Sequence, residues 1–287
     1  MVKNRIILGL MTFGPDTEWG AKTTSLPEFH TFLDHFQSAG YSETDTARTY
    51  QNGIQESVTA AVGYKKRNLS IATKLYPHVL GKHAPTELRA GVEKSLKELQ
   101  TDYVDIFYLH APDRSVPFEE TVGEIDRILA GGLFTGKYKA GQTEDPGKKS
   151  FVGEVYRQRY IRNGYLDALS IIEPVVTAHG LTLVETAMRW LIHHSALKMR
   201  TDGGNDGIII GASSLAQLDN NLAVLEKGPL PKEVLDALDE GWIVAKGTVP
   251  DYWHMDLKYT YDTEEALFGG QKKEANRANV ASSKASL

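Results

Sequence analysis

The chain reads as an α/β protein, an incomplete (β/α)8 TIM-type barrel lacking about two to three strands. Three observations lead there. The first half alternates short apolar, β-like runs with helical segments. Polar, titratable residues stand at the ends of successive runs: Asp45 and Tyr50 in TDTARTY, Lys74 in SIATKLY and His110 in DIFYLHAPD. The alternation then fails between Ile128 and Leu129.

The elements follow in order. Residues 6–10 form a short apolar strand around Gly9. Residues 27–39 carry Phe29, Phe32, Leu33 and Phe36 at helical spacing and stop at Gly40. Residues 41–45 read as a short strand, 54–62 as a helix and 69–73 as a strand. Residues 86–99 read as a helix with Leu88, Val92, Leu96 and Leu99 on one face. Residues 103–109, rich in aromatic and β-branched side chains, read as a strand, and 118–128 as a helix. Four such βα units imply a parallel sheet with right-handed crossovers.

Beyond Ile128 the rhythm is lost. Residues 129–149 are a glycine- and lysine-rich loop, followed by helices at 165–178 and 182–194. One further strand stands at 207–211, with helices at 214–225 and 231–244. We expect the shortened barrel to span residues 1–245, with 246–287 a C-terminal loop and tail, partly disordered. A closed barrel of this type needs eight strands. Strand number, tilt and shear are linked, so a five-stranded sheet cannot close it. At roughly 30 residues per βα unit, about two units are missing at the 128/129 junction.

Composition bounds the chemistry. The 287 residues are 41% hydrophobic and 24% charged, with formal net charge −5. No basic patch argues for nucleic acid and no polybasic run for a membrane surface. The absence of cysteine excludes disulfides, thiolate nucleophiles and Cys-ligated metals, and no metal is expected. No signal peptide is read at the N-terminus, and no apolar run approaches the roughly 20 residues of a membrane span. A cytoplasmic protein is expected, with a homo-oligomer left open.

Asp45, Tyr50, Lys74 and His110 form an acid–base set. A carbonyl that accepts hydride needs a proton on its oxygen, and a free phenol has a pKa of about 10. A neighbouring ammonium favours the phenolate, a carboxylate fixes that ammonium, and a neutral imidazole orients the carbonyl oxygen. Each residue alone is more often structural; four such types at three successive strand ends point to function.

Other motifs are less decisive. GGLFTGKY (131–138) imitates a P-loop, but Tyr138 stands where Mg²⁺ ligation needs Ser or Thr, and no strand precedes it. Nucleoside triphosphatase chemistry is therefore excluded, while Lys137 could still meet a cofactor phosphate or be plain solvated loop. GIIIGASSLAQLDNN (207–221) is a strand, a turn and a helix with Ser213 or Ser214 as N-cap, either an anion site or an ordinary capped helix. YRQRYIR (156–162) clusters three arginines that could grip an acidic group or simply be solvated. No G-x-G-x-x-G follows a strand, so a Rossmann site is not indicated. The adjacent His193 and His194 point to different faces of their helix, against a shared metal.

On these residues the chain resembles the aldo-keto reductase superfamily, most of all the aflatoxin-aldehyde reductase branch and its fungal relatives. DTARTY, ATK and LHAPD match that family's catalytic stretches. LAGGLFTGKY, RWLIHHSAL, IIIGASSLAQLDNNLA and EKGPLP match later landmarks of the branch. The resemblance implies a (β/α)8 barrel binding NADPH across its C-terminal face, and reduction of an aldehyde or ketone to an alcohol. It implies Tyr50 as proton donor, Lys74 as the residue that lowers its pKa, Asp45 as partner of Lys74 near the nicotinamide ribose, and His110 as the residue that orients the substrate carbonyl. It implies Leu129, Gly131 and Lys137 along the pyrophosphate, and Gly211, Ser213, Gln217, Asn220 and Asn221 at the adenosine end. A service in fungal secondary or xenobiotic metabolism is also implied.

The family's Ser-Asn pair and Gln that grip the nicotinamide amide, and the aromatic residue that stacks on its ring, have no counterpart here. The resemblance implies that the missing text corresponds to strands five, six and most of seven, with natural loss, alternative splicing and a mis-called exon as the open explanations. A non-catalytic barrel remnant, acting as a regulatory or partner-binding subunit, is the alternative.

Overall fold

The computed structural model describes residues 3–116, 163–249, 258–263 and 265. The expected helix at 118–128, the loop at 129–149, the arginine cluster at 156–162, and Leu129, Gly131 and Lys137 lie outside these residues.

Strand β1 (Arg5–Gly9) buries its three central residues. A loop leads to helix α1 (Leu26–Ser38), whose N-cap Ser25 accepts a hydrogen bond from the Glu28 amide at 3.4 Å. Then come β2 (Glu43–Asp45), α2 (Gln55–Ala61), β3 (Ser70–Leu75), α3 (Pro85–Glu98) and β4 (Ile106–Leu109). Helices α4 (Asn163–Ala178) and α5 (Leu183–His193) precede β5 (Gly207–Ile210), α6 (Leu215–Val224) and α7 (Lys232–Ala245).

The five strands form one parallel sheet in the order β4-β3-β2-β1-β5. The first four units advance steadily in one direction, and the last strand returns to the far side of the first. That is the circular order of a (β/α)8 barrel, interrupted between β4 and β5 among the described residues. All but the first residue of β3 are buried, which fits a strand covered on both faces.

The main core lies between the sheet and α1, α5 and α6, and it includes Ile6, Leu8, Phe29, Phe32, Ile71, Met188 and Leu218. Phe13 packs against Phe29 and Phe32 with ring centroids 4.5 and 5.1 Å away. A smaller cluster joins α4 to α7 through Leu169, Ile172, Val176 and Val234. There the helices meet at Gly241, where an added Cβ would stand 2.7 Å from Ile172 Cδ1.

The expected elements are found with shifted ends. Strand β3 runs to Leu75, beyond the expected Thr73, because Lys74 and Leu75 pair with Tyr108 and Leu109 of β4. Strand β4 starts at Ile106, later than the expected Tyr103. At the lead-in the Asp105 amide donates to the Ile71 carbonyl at 3.1 Å and the Asp105 carboxylate accepts the Ile71 amide at 2.8 Å, so a side chain supplies the return bond. Of the two candidate caps before α6, Ser214 accepts the Gln217 amide, at 3.2 Å. Among the described residues no single helix is long and apolar enough to cross a membrane.

Candidate active site

Register brings the sequence-predicted residues together. Asp45 ends β2 and is paired with Ala72 of β3. Lys74 lies two residues beyond Ala72 and is paired with Tyr108 of β4, and His110 lies two residues beyond Tyr108. Side chains two apart share a face of a sheet, as do residues paired across parallel strands. Asp45, Lys74 and His110 therefore project on one side, at the C-terminal end of the strands. Lys74 and Asp45 are both buried and form an ion pair through Nζ and Oδ2.

Tyr50 arrives from the loop after β2. That loop continues along β3, with the Thr46 amide donating to the Ala72 carbonyl at 2.8 Å and the Arg48 amide to the Lys74 carbonyl at 3.0 Å. It is fastened from below by α2. The Arg48 guanidinium pairs with Glu56 and donates to the Gly53 carbonyl, and Glu56 accepts from Thr73 Oγ1 at 2.7 Å. Gln55, fully buried, holds Thr46 and donates to Thr59 Oγ1 at 2.9 Å. On the far side of Tyr50 the backbone passes through two left-handed residues, Gln51 (φ 50°, ψ 48°) and Asn52 (φ 53°, ψ 32°). Each costs on the order of 1–2 kcal/mol for a residue with a Cβ.

The result is a cluster around one phenol. Lys74 Nζ lies 5.2 Å from the Tyr50 ring centroid. The His110 ring meets Tyr50 edge-on at 5.9 Å and Tyr76 edge-on at 5.5 Å. His110 is anchored by its own amide, which donates to the Leu75 carbonyl at 2.9 Å. Burial, together with the charges of Lys74 and His83, pushes the His110 imidazole down to about 3. It is thus neutral at physiological pH and can donate a hydrogen bond through one ring nitrogen. Its Nδ1 is buried without a hydrogen-bond partner among the described residues.

Four neighbours escaped the sequence reading. His83 is fully buried, donates through Nε2 to the Leu75 carbonyl at 3.1 Å, and is also lowered by burial. Asp113 accepts the His83 amide at 3.0 Å and both the amide and hydroxyl of Ser115, at 3.1 and 2.6 Å. These contacts tie the loop after β3 to the loop after β4 and so frame His110. Tyr76 is the fourth. The DIFYLHAPD stretch held Asp113 in view, but nothing in its spacing pointed to His83. Past Asp113, the Arg114 carbonyl accepts the Thr260 amide at 3.2 Å, so a short C-terminal stretch reaches this end of the sheet.

The expected adenosine residues sit at the same end, after β5. Gln217 Oε1 accepts from the Ser213 amide and hydroxyl at 2.8 and 2.7 Å, and Asn221 Nδ2 donates to the Gly211 carbonyl at 3.1 Å. Gly211, Ser213, Gln217 and Asn220 are exposed, while Asn221 is buried and holds the turn. The turn opens onto the N-terminus of α6, whose first turn carries no acidic residue. A helix N-terminus with no acidic side chain in its first turn, flanked by the exposed polar side chains of Ser213, Gln217 and Asn220, suits a phosphate-bearing group. The donor set therefore fits a nucleotide at its adenosine end.

A family model described as "Aldo/keto reductase family" matches residues 5–128 and 127–243, two segments that meet where the alternation fails. The aldo-keto reductase pigE of Monascus ruber is 30% identical over 334 positions, covering 87% of this chain and 97% of that protein. Dozens of positions of that relative thus have no counterpart here. The aflatoxin B1 aldehyde reductase member 2 of Mus musculus is 30% identical, covering 86% of this chain and 87% of that protein. Among solved structures, a glycerol dehydrogenase from Gluconobacter oxydans matches with TM-score 0.59 at 18% identity, covering 88% of this chain and 95% of that one. An aldo-keto reductase from Klebsiella pneumoniae in complex with NADPH matches with TM-score 0.52 at 20% identity and the same coverage. These two likenesses are of fold.

Proposed function

Because the chain belongs to the aldo/keto reductase family, oxidoreductases acting on small-molecule carbonyls, we propose that it reduces an aldehyde or ketone to an alcohol with NADPH. The observation that carries this reading is the clustering of Asp45, Tyr50, Lys74 and His110 at one end of the sheet. Tyr50 gives its phenolic proton to the carbonyl oxygen. The Lys74 ammonium stabilises the phenolate left behind, and Asp45 holds that ammonium in place. Neutral His110 donates a hydrogen bond to the same oxygen and orients it. The nicotinamide, when bound, supplies the hydride that completes the alcohol.

Gly211, Ser213, Gln217, Asn220 and Asn221 would hold the adenosine end, with Leu129, Gly131 and Lys137 along the pyrophosphate. Asp45 would also approach the nicotinamide ribose. We take residues 1–245 as the shortened barrel and 246–287 as a C-terminal loop and tail. A cytoplasmic enzyme of fungal secondary or xenobiotic metabolism agrees with the branch its relatives occupy, and self-association is compatible with this reading.

One observation favours a second reading. The segment that would grip the nicotinamide amide is absent from the sequence, as expected of a regulatory or partner-binding remnant. Fluorescence titration with NADPH, followed by NADPH oxidation with a generic aromatic aldehyde, separates the two. Binding with turnover supports the reductase, and binding without turnover supports the remnant.

A further inference from the structure

We propose that Gln51 is a positioning residue that locks the Tyr50 phenol onto Lys74 and His110 by tying its loop to the segment between β1 and α1; this rests on the role given to Tyr50 above. The residue choice is the first sign. Positions 51 and 52 are consecutive left-handed residues, a conformation that suits glycine or asparagine and disfavours glutamine. Asn52 is exposed and fits that rule, whereas Gln51 breaks it and is 2% exposed. Such a backbone persists only where its surroundings fix it.

The surroundings are specific. Gln51 Nε2 donates to the Met11 carbonyl at 3.1 Å and to the Trp19 carbonyl at 2.9 Å. Both carbonyls belong to the segment after β1, more than 30 residues away in sequence. Both amide hydrogens are thereby used, which fixes the plane of the carboxamide. Gly14 closes the third side: a Cβ added there would lie 2.7 Å from Gln51 Cγ and 2.9 Å from Oε1. Tyr50 therefore hangs between two anchors, with Arg48 on Glu56 before it and Gln51 on the Met11 and Trp19 carbonyls after it. The first fixes the loop to β3 and α2, and the second to the segment between β1 and α1. Releasing the second leaves the phenol free to swing away from the Lys74 ammonium.

Two variants test this. Gln51→Met keeps the length and removes both donors, and Gly14→Ala crowds the carboxamide from the opposite side. Tyr50 is followed by its ¹³Cζ resonance, assigned by its loss in Tyr50→Phe. We expect the Tyr50 titration midpoint to rise by about half a unit or more in either variant, as its phenolate loses the ammonium. With NADPH and an aromatic aldehyde, kcat should fall about 10- to 100-fold, while the NADPH Kd stays within about twofold. Gln51→Met should add no further loss on the Tyr50→Phe background, because Gln51 acts only through that phenol. An unmoved Tyr50 midpoint in both variants overturns the inference, whether or not the protein turns over. If Gln51→Met does not fold, Gly14→Ala carries the test. If Tyr50→Phe keeps wild-type turnover, the proton-donor role fails, and the resonance alone decides whether Gln51 holds the ring.

Discussion

Lys74 Nζ lies 5.2 Å from the centroid of the Tyr50 ring. The two residues are 24 positions apart in sequence and stand on different elements, so the contact exists only because β2 and β3 are paired in register and the loop after β2 is strapped back onto β3. The cation is itself held by Asp45. A phenol facing a fixed ammonium, beside a neutral imidazole, is an arrangement for releasing a proton and stabilising what remains.

Replacing Tyr50 by Phe removes the proton and little else. We expect carbonyl reduction to fall by about 10²- to 10⁴-fold, the usual contribution of a positioned general acid. NADPH affinity should stay within about twofold, since the residues proposed for the adenosine end lie after β5. Steady-state rates and a fluorescence titration check both arms, and wild-type turnover in the variant would remove Tyr50 from the mechanism.

Lys74→Met should do two separable things. It leaves the Asp45 carboxylate buried without its cation, which costs about 3–5 kcal/mol of stability. In the proposed mechanism it also withdraws the charge that stabilises the phenolate. Adding Asp45→Asn should recover much of the stability and none of the turnover. Urea unfolding of the single and double variants, run beside their rates, reads the two effects. Recovery of activity in the double variant would show that the ion pair is only structural.

Glu56→Gln tests the strap beneath the loop. Glu56 is fully buried between Arg48 and Thr73. Its neutralisation leaves the largely buried Arg48 charge uncompensated, and we expect a loss of about 3 kcal/mol by denaturant unfolding. An unchanged midpoint would show the pair to be dispensable.

The pH dependence follows from His110. Its folded pKa of about 3 lies below the usual value of 6.5. Between those values the unfolded chain binds the proton and the folded chain does not. Stability therefore rises with pH across that window, and is lost as the solution is acidified towards pH 3. His83, lowered for the same reason, adds in the same direction. Thermal melting between about pH 4 and 7 should show a slope that His110→Gln makes shallower. An identical slope in the variant would show that the imidazole is not held neutral.

Much of this was legible in sequence. The order of the elements up to Leu109 and from Asn163 onward follows from apolar spacing, because each strand and helix buries one recurring face. Asp45, Lys74 and His110 could be grouped because each ends an apolar run, and strand ends of a parallel sheet converge. What escaped lies where no period operates. Gln51 is legible only through its left-handed backbone, and Arg48 with Glu56 only through a loop that doubles back. His83 reaches the site through the Leu75 carbonyl, a contact set by the fold and not by spacing. Strand β3 extends past its apolar run because pairing with Asp45 allows Lys74 to be buried inside the strand.

In the proposed function the tetrad still reduces a carbonyl in a barrel that has lost part of its circuit. The most direct measurement is transfer of deuterium to an aromatic aldehyde from NADPH labelled at the transferable position of its nicotinamide. We expect singly deuterated alcohol from the wild-type chain and at most a trace from Tyr50→Phe. Tight NADPH binding with no labelled alcohol from the wild type would contradict it and leave a nucleotide-binding remnant.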